Sequence, residues 1–122
     1  MKKIFIVEDE KEISRMYDLD FRLSGYEVEV VHDGEEALKS LSGSDTLPSA
    51  ILMDIMMPKI SGLDLLRHVR GDARFENVPI VVLTNSFLKE NADQFLSLGA
   101  DLYLVKIEYQ AKDIVEKVTD LI

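Results

Sequence analysis

Five side chains with carboxyl, hydroxyl or ammonium groups follow short apolar runs of the sequence, and these are Glu8, Asp9, Asp54, Thr84 and Lys106. Carboxylates that converge within a few ångströms resist full ionisation unless a positive charge compensates them. Mg²⁺ is the natural compensator, because it prefers carboxylate oxygens, keeps several waters and bridges to phosphoryl oxygens. With such an ion in place, the Asp54 carboxylate can attack phosphorus and form an aspartyl-phosphate.

Lys106 and Thr84 offer the other groups that phosphoryl chemistry needs. The Lys106 ammonium supplies a positive charge for one phosphoryl oxygen, and the Thr84 hydroxyl supplies a hydrogen-bond donor for another. Nucleotide-binding proteins with alternating strands and helices place glycines after their first strand, where backbone N–H groups hold phosphate. This chain has Glu8 and Asp9 there and contains neither G-x-G-x-x-G nor G-x-x-x-x-G-K-[ST]. A flavin-binding or nucleotide-binding role is therefore disfavoured.

Five short runs of β-type residues alternate with five segments of helical period. The predicted strands are Lys3–Val7, Glu27–Val31, Ala50–Met53, Ile80–Leu83 and Leu102–Val105. Four runs are nearly continuously apolar, which is typical of strands covered on both faces, whereas Glu27–Val31 alternates, which is typical of an edge strand. The apolar residues at helical spacing are Ile13, Met16, Tyr17 and Phe21; Ala37, Leu38 and Leu41; Leu65, Leu66 and Val69; Ala92, Phe95 and Leu96; and Ile114, Val115, Val118 and Leu121.

The ends of the helices also have sequence signals. The pairs Asp9/Glu12 and Asp33/Glu36 predict capping boxes where two helices begin, and the glycines at positions 25, 43, 71 and 99 predict helix ends. Strict alternation of strands and helices predicts an α/β fold, a doubly wound parallel sheet with helices on both faces. We expect residues 1–122 to form a single domain. Ligand sites in such sheets lie beyond the carboxyl ends of the strands.

The composition excludes several classes of function. The chain has 23 acidic and 14 basic residues, a net charge of −9, and no cysteine. This charge disfavours direct nucleic-acid binding, and the lack of cysteine excludes a disulfide scaffold and a thiolate metal site. The apolar run after Lys3 is far shorter than the ~20 residues of a membrane span. We therefore expect a cytoplasmic protein with no membrane segment.

These residues and their spacing resemble the receiver domains of bacterial two-component response regulators, the CheY-like superfamily. The resemblance spans essentially the whole chain. It rests on Glu8-Asp9, on the stretch Asp54-Ile-Met-Met-Pro-Lys-Ile-Ser-Gly62, on Thr84, and on Lys106 with Tyr103 three residues before it. The family implies a flavodoxin-like sheet with strand order 2-1-3-4-5 and five helices.

The resemblance also implies a reaction and its ligands. Asp54 would accept a phosphoryl group from a phosphohistidine of a sensor histidine kinase or a phosphotransfer protein. Asp9 and Asp54 would bind Mg²⁺ directly, the main-chain carbonyl of Met56 would be a further ligand, and Glu8 would act through water. The chain would catalyse only its own phosphorylation and dephosphorylation and would not be an enzyme in the wider sense.

A conformational switch is the last expectation taken from the family. Thr84 would move toward the phosphoryl group, and Tyr103 would turn inward into the vacated space. The surface formed by helix four, strand five and helix five would then bind a downstream protein or an output domain. The chain would be a monomer or a weak dimer.

Two other functions compete with this interpretation. A haloacid-dehalogenase-like phosphatase also forms an aspartyl-phosphate, but it needs an acid two residues after the nucleophile, where this chain has Met56. A receiver-like binding module that has lost phosphorylation is disfavoured by the intact Asp54, Thr84 and Lys106. Taken alone, the groups also have structural interpretations, which are helix capping for Asp9, turn formation for Asp54 and Thr84, solvated charge for Glu8 and Lys106, and core packing for Tyr103.

Three positions depart from the family pattern. Ile107 stands where receivers usually have a proline after the lysine, so the Lys106–Ile107 peptide is either trans with a rearranged loop or strained. Asn85 is bulkier than the usual residue after the threonine, and we expect it to slow phosphotransfer. Met56 offers no donor to orient a hydrolytic water, and we expect a long-lived aspartyl-phosphate.

Overall fold

A computed structural model describes residues 2–55, 59–85 and 89–122, with the backbone alone described at 89 and 90. The strands are Lys3–Val7 (β1), Glu27–Val31 (β2), Ala50–Asp54 (β3), Ile80–Thr84 (β4) and Leu102–Val105 (β5). The helices are Lys11–Leu23 (α1), Gly34–Gly43 (α2), Gly62–Arg70 (α3), Lys89–Ser97 (α4) and Ala111–Thr119 (α5). Short 3₁₀ turns occupy Ala73–Phe75 and Lys106–Glu108. In these ranges, every helix is too short or too polar to cross a membrane.

All five strands are parallel and form one sheet in the order β2-β1-β3-β4-β5. The predicted α/β fold, its strand order and its five helices are therefore confirmed. Nearly every residue of the three central strands is buried. Since successive side chains of a strand point to opposite sides, both faces of these strands are covered. This arrangement explains why their sequences are continuously apolar.

Two apolar cores lie on the two faces of the sheet. One contains buried residues of α1 and α5 against the strands, namely Tyr17, Phe21, Ile114, Val115 and Val118 with Ile4, Ile6, Leu52, Val81, Leu83 and Leu104. The other contains buried residues of α2, α3 and α4, namely Ala37, Leu41, Leu65, Leu66, Val69 and Phe95 with Phe5, Val7, Ile51, Met53 and Val82. The sheet is thus packed between helices on both of its faces.

Some predicted core positions are wrong. The β2 strand is a half-buried edge, as its alternation predicted, but β5 forms the opposite edge and three of its four residues are only half-buried. Met16 and Leu96 are exposed, since they lie beside the buried stripe of their helices, and Leu121 is exposed because it lies beyond the end of α5 at Thr119. In α1 the buried stripe also includes Ser14, whose hydroxyl donates to the Lys11 carbonyl instead of to water.

Neither predicted capping box forms with both of its hydrogen bonds, and only the N-cap at Asp33 is confirmed. The first helix begins at Lys11 with Glu10 at its N-cap and no side-chain cap bond, so the pair Asp9/Glu12 does not form a box. The chain stays extended one residue longer than predicted, because the Glu8 N–H donates to the Val31 carbonyl. At α2 the Asp33 carboxylate caps the helix by accepting from the Glu36 N–H at 2.8 Å, but the Glu36 carboxylate accepts from the His32 N–H at 2.9 Å, so the box is incomplete.

Candidate functional site

The predicted site residues come together at the carboxyl edge of the sheet. Glu8 directly follows β1, Lys106 directly follows β5, and Asp54 and Thr84 are the last residues of β3 and β4. Because β1, β3, β4 and β5 are neighbours in a parallel sheet, these four ends lie side by side. Glu8, Asp54 and Thr84 are all buried, although each is polar.

The Lys106 ammonium group joins two of the carboxyl groups. Its Nζ donates to Glu8 Oε1 at 2.6 Å and to Asp54 Oδ2 at 2.9 Å. The lysine begins the 3₁₀ turn Lys106–Glu108, and its peptide bond to Ile107 is trans. Of the two alternatives for this bond, a trans peptide with a rearranged loop is therefore correct. The loop places Lys106 in the site and leaves Ile107 exposed.

The cluster contains less positive charge than its buried carboxyl groups require. Burial raises the pKa of Glu8 to about 8, and the neighbouring Asp54 carboxyl contributes to this increase. Burial opposes the charge on Lys106, but its hydrogen bonds to Glu8 and Asp54 outweigh this and raise its pKa to about 12. One ammonium ion thus faces two buried carboxyl groups, and a proton or a further cation must balance the remaining charge.

The same place fits a divalent metal ion. Glu8, Asp9 and Asp54 each offer a carboxylate oxygen, and these oxygens all lie within 4.8 Å of one another. Within the part of the chain that the structure describes, the buried Glu8 Oε2 has no hydrogen-bond partner, so it can still accept a ligand bond. Asp9 is exposed, which leaves the cluster open to solvent on one side. An oxygen-only ligand set with an open side suits Mg²⁺, which keeps several waters.

Thr84 and Tyr103 face the same side of the sheet. Tyr103 is paired with Val82 across β4 and β5, and Thr84 follows Val82 by two residues, so both side chains point toward α4. The Tyr103 ring is half-buried and packs against Phe95, with 5.9 Å between the ring centroids. The Tyr103 hydroxyl is buried and has no hydrogen-bond partner among the described residues.

The remaining expectations concern Met56 and Asn85. Met56 lies outside the described residues, so its carbonyl as a metal ligand and its effect on hydrolysis stay predictions. Asn85 directly follows β4 and is exposed. Its predicted effect on the rate of phosphotransfer also stays a prediction.

Two further residues lie near the site, although the sequence patterns do not predict them there. His32 Nδ1 donates to the Glu8 carbonyl at 2.9 Å and so holds the main chain of the acidic segment. Tyr17 was assigned to the core alone, but burial raises the pKa of its phenol, and the charges of Lys106, Glu8 and Asp54 act on it. A polar tip at an apolar helix position was the available signal for Tyr17, whereas no local pattern indicates the contact of His32.

The chain matches the family model described as the response regulator receiver domain over residues 4–119. It therefore belongs to this family and is a receiver domain of two-component response regulators. Among solved structures, chemotaxis response regulator CheY4 of Vibrio cholerae superposes with a TM-score of 0.90 at 27% identity, covering 100% of this chain and 99% of that one. The Mn(2+)-bound form of response regulator Rcp1 has a TM-score of 0.84 at 27% identity, covering 99% and 91%.

Curated relatives are longer than this chain. Response regulator ArlR of Staphylococcus saprophyticus is 36% identical over 107 residues, which are 87% of this chain and 46% of the relative. Response regulator MprA of Mycobacterium tuberculosis is 36% identical over 104 residues, which are 85% of this chain and 44% of the relative. The chain therefore spans about half the length of the curated relatives that it matches.

Proposed function

We propose that Asp54 accepts a phosphoryl group from the phosphohistidine of a sensor histidine kinase or a phosphotransfer protein, in a reaction that needs Mg²⁺. The observation that carries this proposal is the pair of hydrogen bonds from Lys106 Nζ to Glu8 and Asp54 at the carboxyl edge of the sheet. Membership of the receiver family supports the choice of donor.

In the proposed reaction, an ionised oxygen of Asp54 attacks phosphorus. A P–O bond to Asp54 forms while the P–N bond of the donor breaks, and the imidazole of the donor leaves with the bonding electrons. Lys106 donates to the Asp54 carboxylate before attack and then to a phosphoryl oxygen, and the Thr84 hydroxyl donates to another. Glu8, Asp9 and Asp54 would hold Mg²⁺, with the Met56 carbonyl as a further ligand. Bound Mg²⁺ would neutralise charge on the carboxylates and the phosphoryl oxygens.

The proposed output is a change of the surface formed by α4, β5 and α5. Phosphorylation adds negative charge and acceptor oxygens next to Thr84, so its hydroxyl gains a new partner. The buried hydroxyl of Tyr103, which has no hydrogen-bond partner in the described part of the chain, supports a second position for this ring, because leaving such a group without a hydrogen bond costs free energy. The changed surface would bind a downstream protein or an output domain.

The proposal extends to the setting of the chain. We infer that residues 1–122 form one receiver domain, which acts in the cytoplasm as a monomer or a weak dimer and catalyses only its own phosphorylation and dephosphorylation. Some relatives are transcriptional regulators by name, among them the phosphate regulon protein PhoB of Rhizobium meliloti. With a net charge of −9, this chain would reach nucleic acid only through an attached or separate basic partner.

The test is incubation with Mg²⁺ and acetyl phosphate, followed by intact mass measurement. We expect a gain of one phosphate on the native chain, no gain on Asp54→Asn, and a full gain on Asp64→Asn, a control on the exposed side of α3. A gain that survives Asp54→Asn would contradict the assignment of Asp54. No gain on the native chain would favour the binding module, and sustained phosphate release from many monoesters would favour the phosphatase.

A further inference from the structure

Ile55, the residue after Asp54, is in close contact with Gly62, the first residue of α3. The Gly62 N–H donates to the Ile55 carbonyl at 3.4 Å. A Cβ atom at Gly62 would lie 2.6 Å from the Ile55 Cα, which is closer than real Cβ atoms approach other atoms. Only glycine therefore allows α3 to begin this close to the residue that follows Asp54.

Ile60, two residues before Gly62, is in close contact with the beginning of α2. A Cβ atom at Gly34 would lie 2.7 Å from both the Cβ and the carbonyl oxygen of Ile60. Backbone of α2 and backbone of the segment after Asp54 are thus in direct contact, and an added methyl group would force them apart. By contrast, a Cβ atom at Gly43, the last residue of the same helix, would meet nothing within 4 Å.

Lys59 adds a second contact between α2 and this segment. Its φ is 70°, in the left-handed region that a lysine adopts only at a cost in conformational free energy. From this conformation its ammonium Nζ lies 3.5 Å from Asp33 Oδ2 and 3.9 Å from Glu35 Oε2, both at the beginning of α2. The strained backbone and the ion pairs therefore lie at one residue, directly before the Gly34–Ile60 contact.

We propose that the beginning of α2 positions the segment after Asp54, with Gly34 and Lys59 as positioning residues for metal binding and phosphorylation. We name the contacts of Gly34 with Ile60 and of Lys59 with Asp33 and Glu35 the α2 contact. This inference rests on the proposed function of Asp54. It assigns a role to a helix that carries none of the reacting groups, through contacts at Lys59 and Ile60.

The test compares Gly34→Ala with Gly43→Ala. Both changes place alanine in α2, but only the first meets the segment after Asp54. For Gly34→Ala we expect Mg²⁺ binding, measured by calorimetric titration, to weaken at least about fivefold, and the rate of phosphorylation by acetyl phosphate to fall by a similar factor. A displacement of about 1 Å far from the reacting atoms can cost on the order of 100-fold. Gly43→Ala should stay within about twofold of the native chain, and circular dichroism confirms that each variant is folded.

Lys59→Gln tests the second contact independently and decides the matter if Gly34→Ala does not fold. We expect Mg²⁺ binding to weaken about two- to fivefold, which is the range for loss of an exposed ion pair. If Lys59 acted only through the repulsion between its charge and Mg²⁺, its removal would strengthen Mg²⁺ binding instead. Stronger or unchanged binding in Lys59→Gln contradicts the role of this residue.

The results separate this inference from the proposed function. If the native chain binds Mg²⁺ and is phosphorylated on Asp54, but a folded Gly34→Ala behaves like Gly43→Ala, the α2 contact has no positioning role and the proposed function stands. If the native chain neither binds Mg²⁺ nor gains phosphate, the proposed function is wrong and the inference is wrong with it.

Discussion

Glu8 and Asp54 are two buried carboxyl groups that share one ammonium group, that of Lys106. This is an unfavourable arrangement for folding alone, because burial of charge costs free energy that one ion pair repays only in part. The raised pKa of Glu8 expresses the same deficit of positive charge. The site is thus arranged for an additional cation, and the free energy of unfolding of the chain should depend on pH and on Mg²⁺.

The first prediction concerns pH. The ordinary pKa of Glu8 is 4.5, and in the folded chain it is about 8, so between these pH values the folded state binds more protons than the unfolded state. The free energy of unfolding of the metal-free chain should therefore fall as the pH rises through this range. Urea unfolding at several pH values measures it.

Glu8→Gln and Mg²⁺ provide the controls for this prediction. The variant has no proton to lose at position 8, so its unfolding free energy should fall less steeply over the same range of pH. Saturating Mg²⁺ should also reduce the slope, because the metal favours the ionised carboxylates. An unchanged slope in Glu8→Gln would show that another group is responsible.

The second prediction concerns Lys106. Lys106→Met leaves two buried carboxyl groups without their cation, and we expect it to lower the free energy of unfolding by about 3 kcal/mol near neutral pH. The loss should be smaller in acid, where the carboxyl groups take up protons. Lys112→Met, on the exposed side of α5, is the matched control and should change little. A loss that is equal at all pH values would contradict the argument.

At the scale of elements, the site depends on helices that contribute none of its reacting groups. The first helix packs Phe21 into the core, where its ring lies perpendicular to that of Tyr26, with 6.2 Å between the centroids. Two residues further on, Leu23 is 76% exposed. The two residues belong to one helix but differ in burial, which allows a matched comparison.

The third prediction uses this comparison. Phe21→Ala should lower the free energy of unfolding by about 3–5 kcal/mol, because it removes a fully buried ring and leaves a cavity. Leu23→Ala should change it by no more than about 0.5 kcal/mol. Denaturant unfolding of both variants measures the difference. Similar losses for the two would contradict the packing described for α1.

The order of elements was predictable from the sequence because the two periods, 2 and 3.6, differ clearly over segments of this length. The strand order that the family resemblance implies places β5 at an edge, whereas the sequence of Leu102–Val105 alone does not, because it is as apolar as a central strand. The exposure of Met16 has a similar cause, because helical spacing does not determine how wide the buried stripe is. Asp9 was predicted as the N-cap of α1, but the N-cap is Glu10, one residue later. The Glu8 N–H pairs with the Val31 carbonyl of β2, so the chain remains extended past the end of β1.

In the whole molecule, the excess of acidic over basic residues matters most at one place, the carboxyl edge of the sheet. The 23 acidic residues are spread along the whole chain, but Glu8, Asp9 and Asp54 converge at one edge of the sheet. Their convergence was predictable, because the carboxyl ends of parallel strands meet at one edge. The donation of His32 to Glu8 and the approach of Gly34 to Ile60 were not, since both join residues that only the folded chain brings together.

The central claim is that Asp54 is the phosphoryl acceptor, and the most direct measurement locates the modification. After incubation with acetyl phosphate, borohydride reduction converts an aspartyl-phosphate into homoserine, which tandem mass spectrometry assigns to one residue. We predict homoserine at position 54 when Mg²⁺ is present, and its loss when Mg²⁺ is removed by a chelator. Homoserine at any other acidic position, or none at position 54 with Mg²⁺ present, would contradict the proposed function.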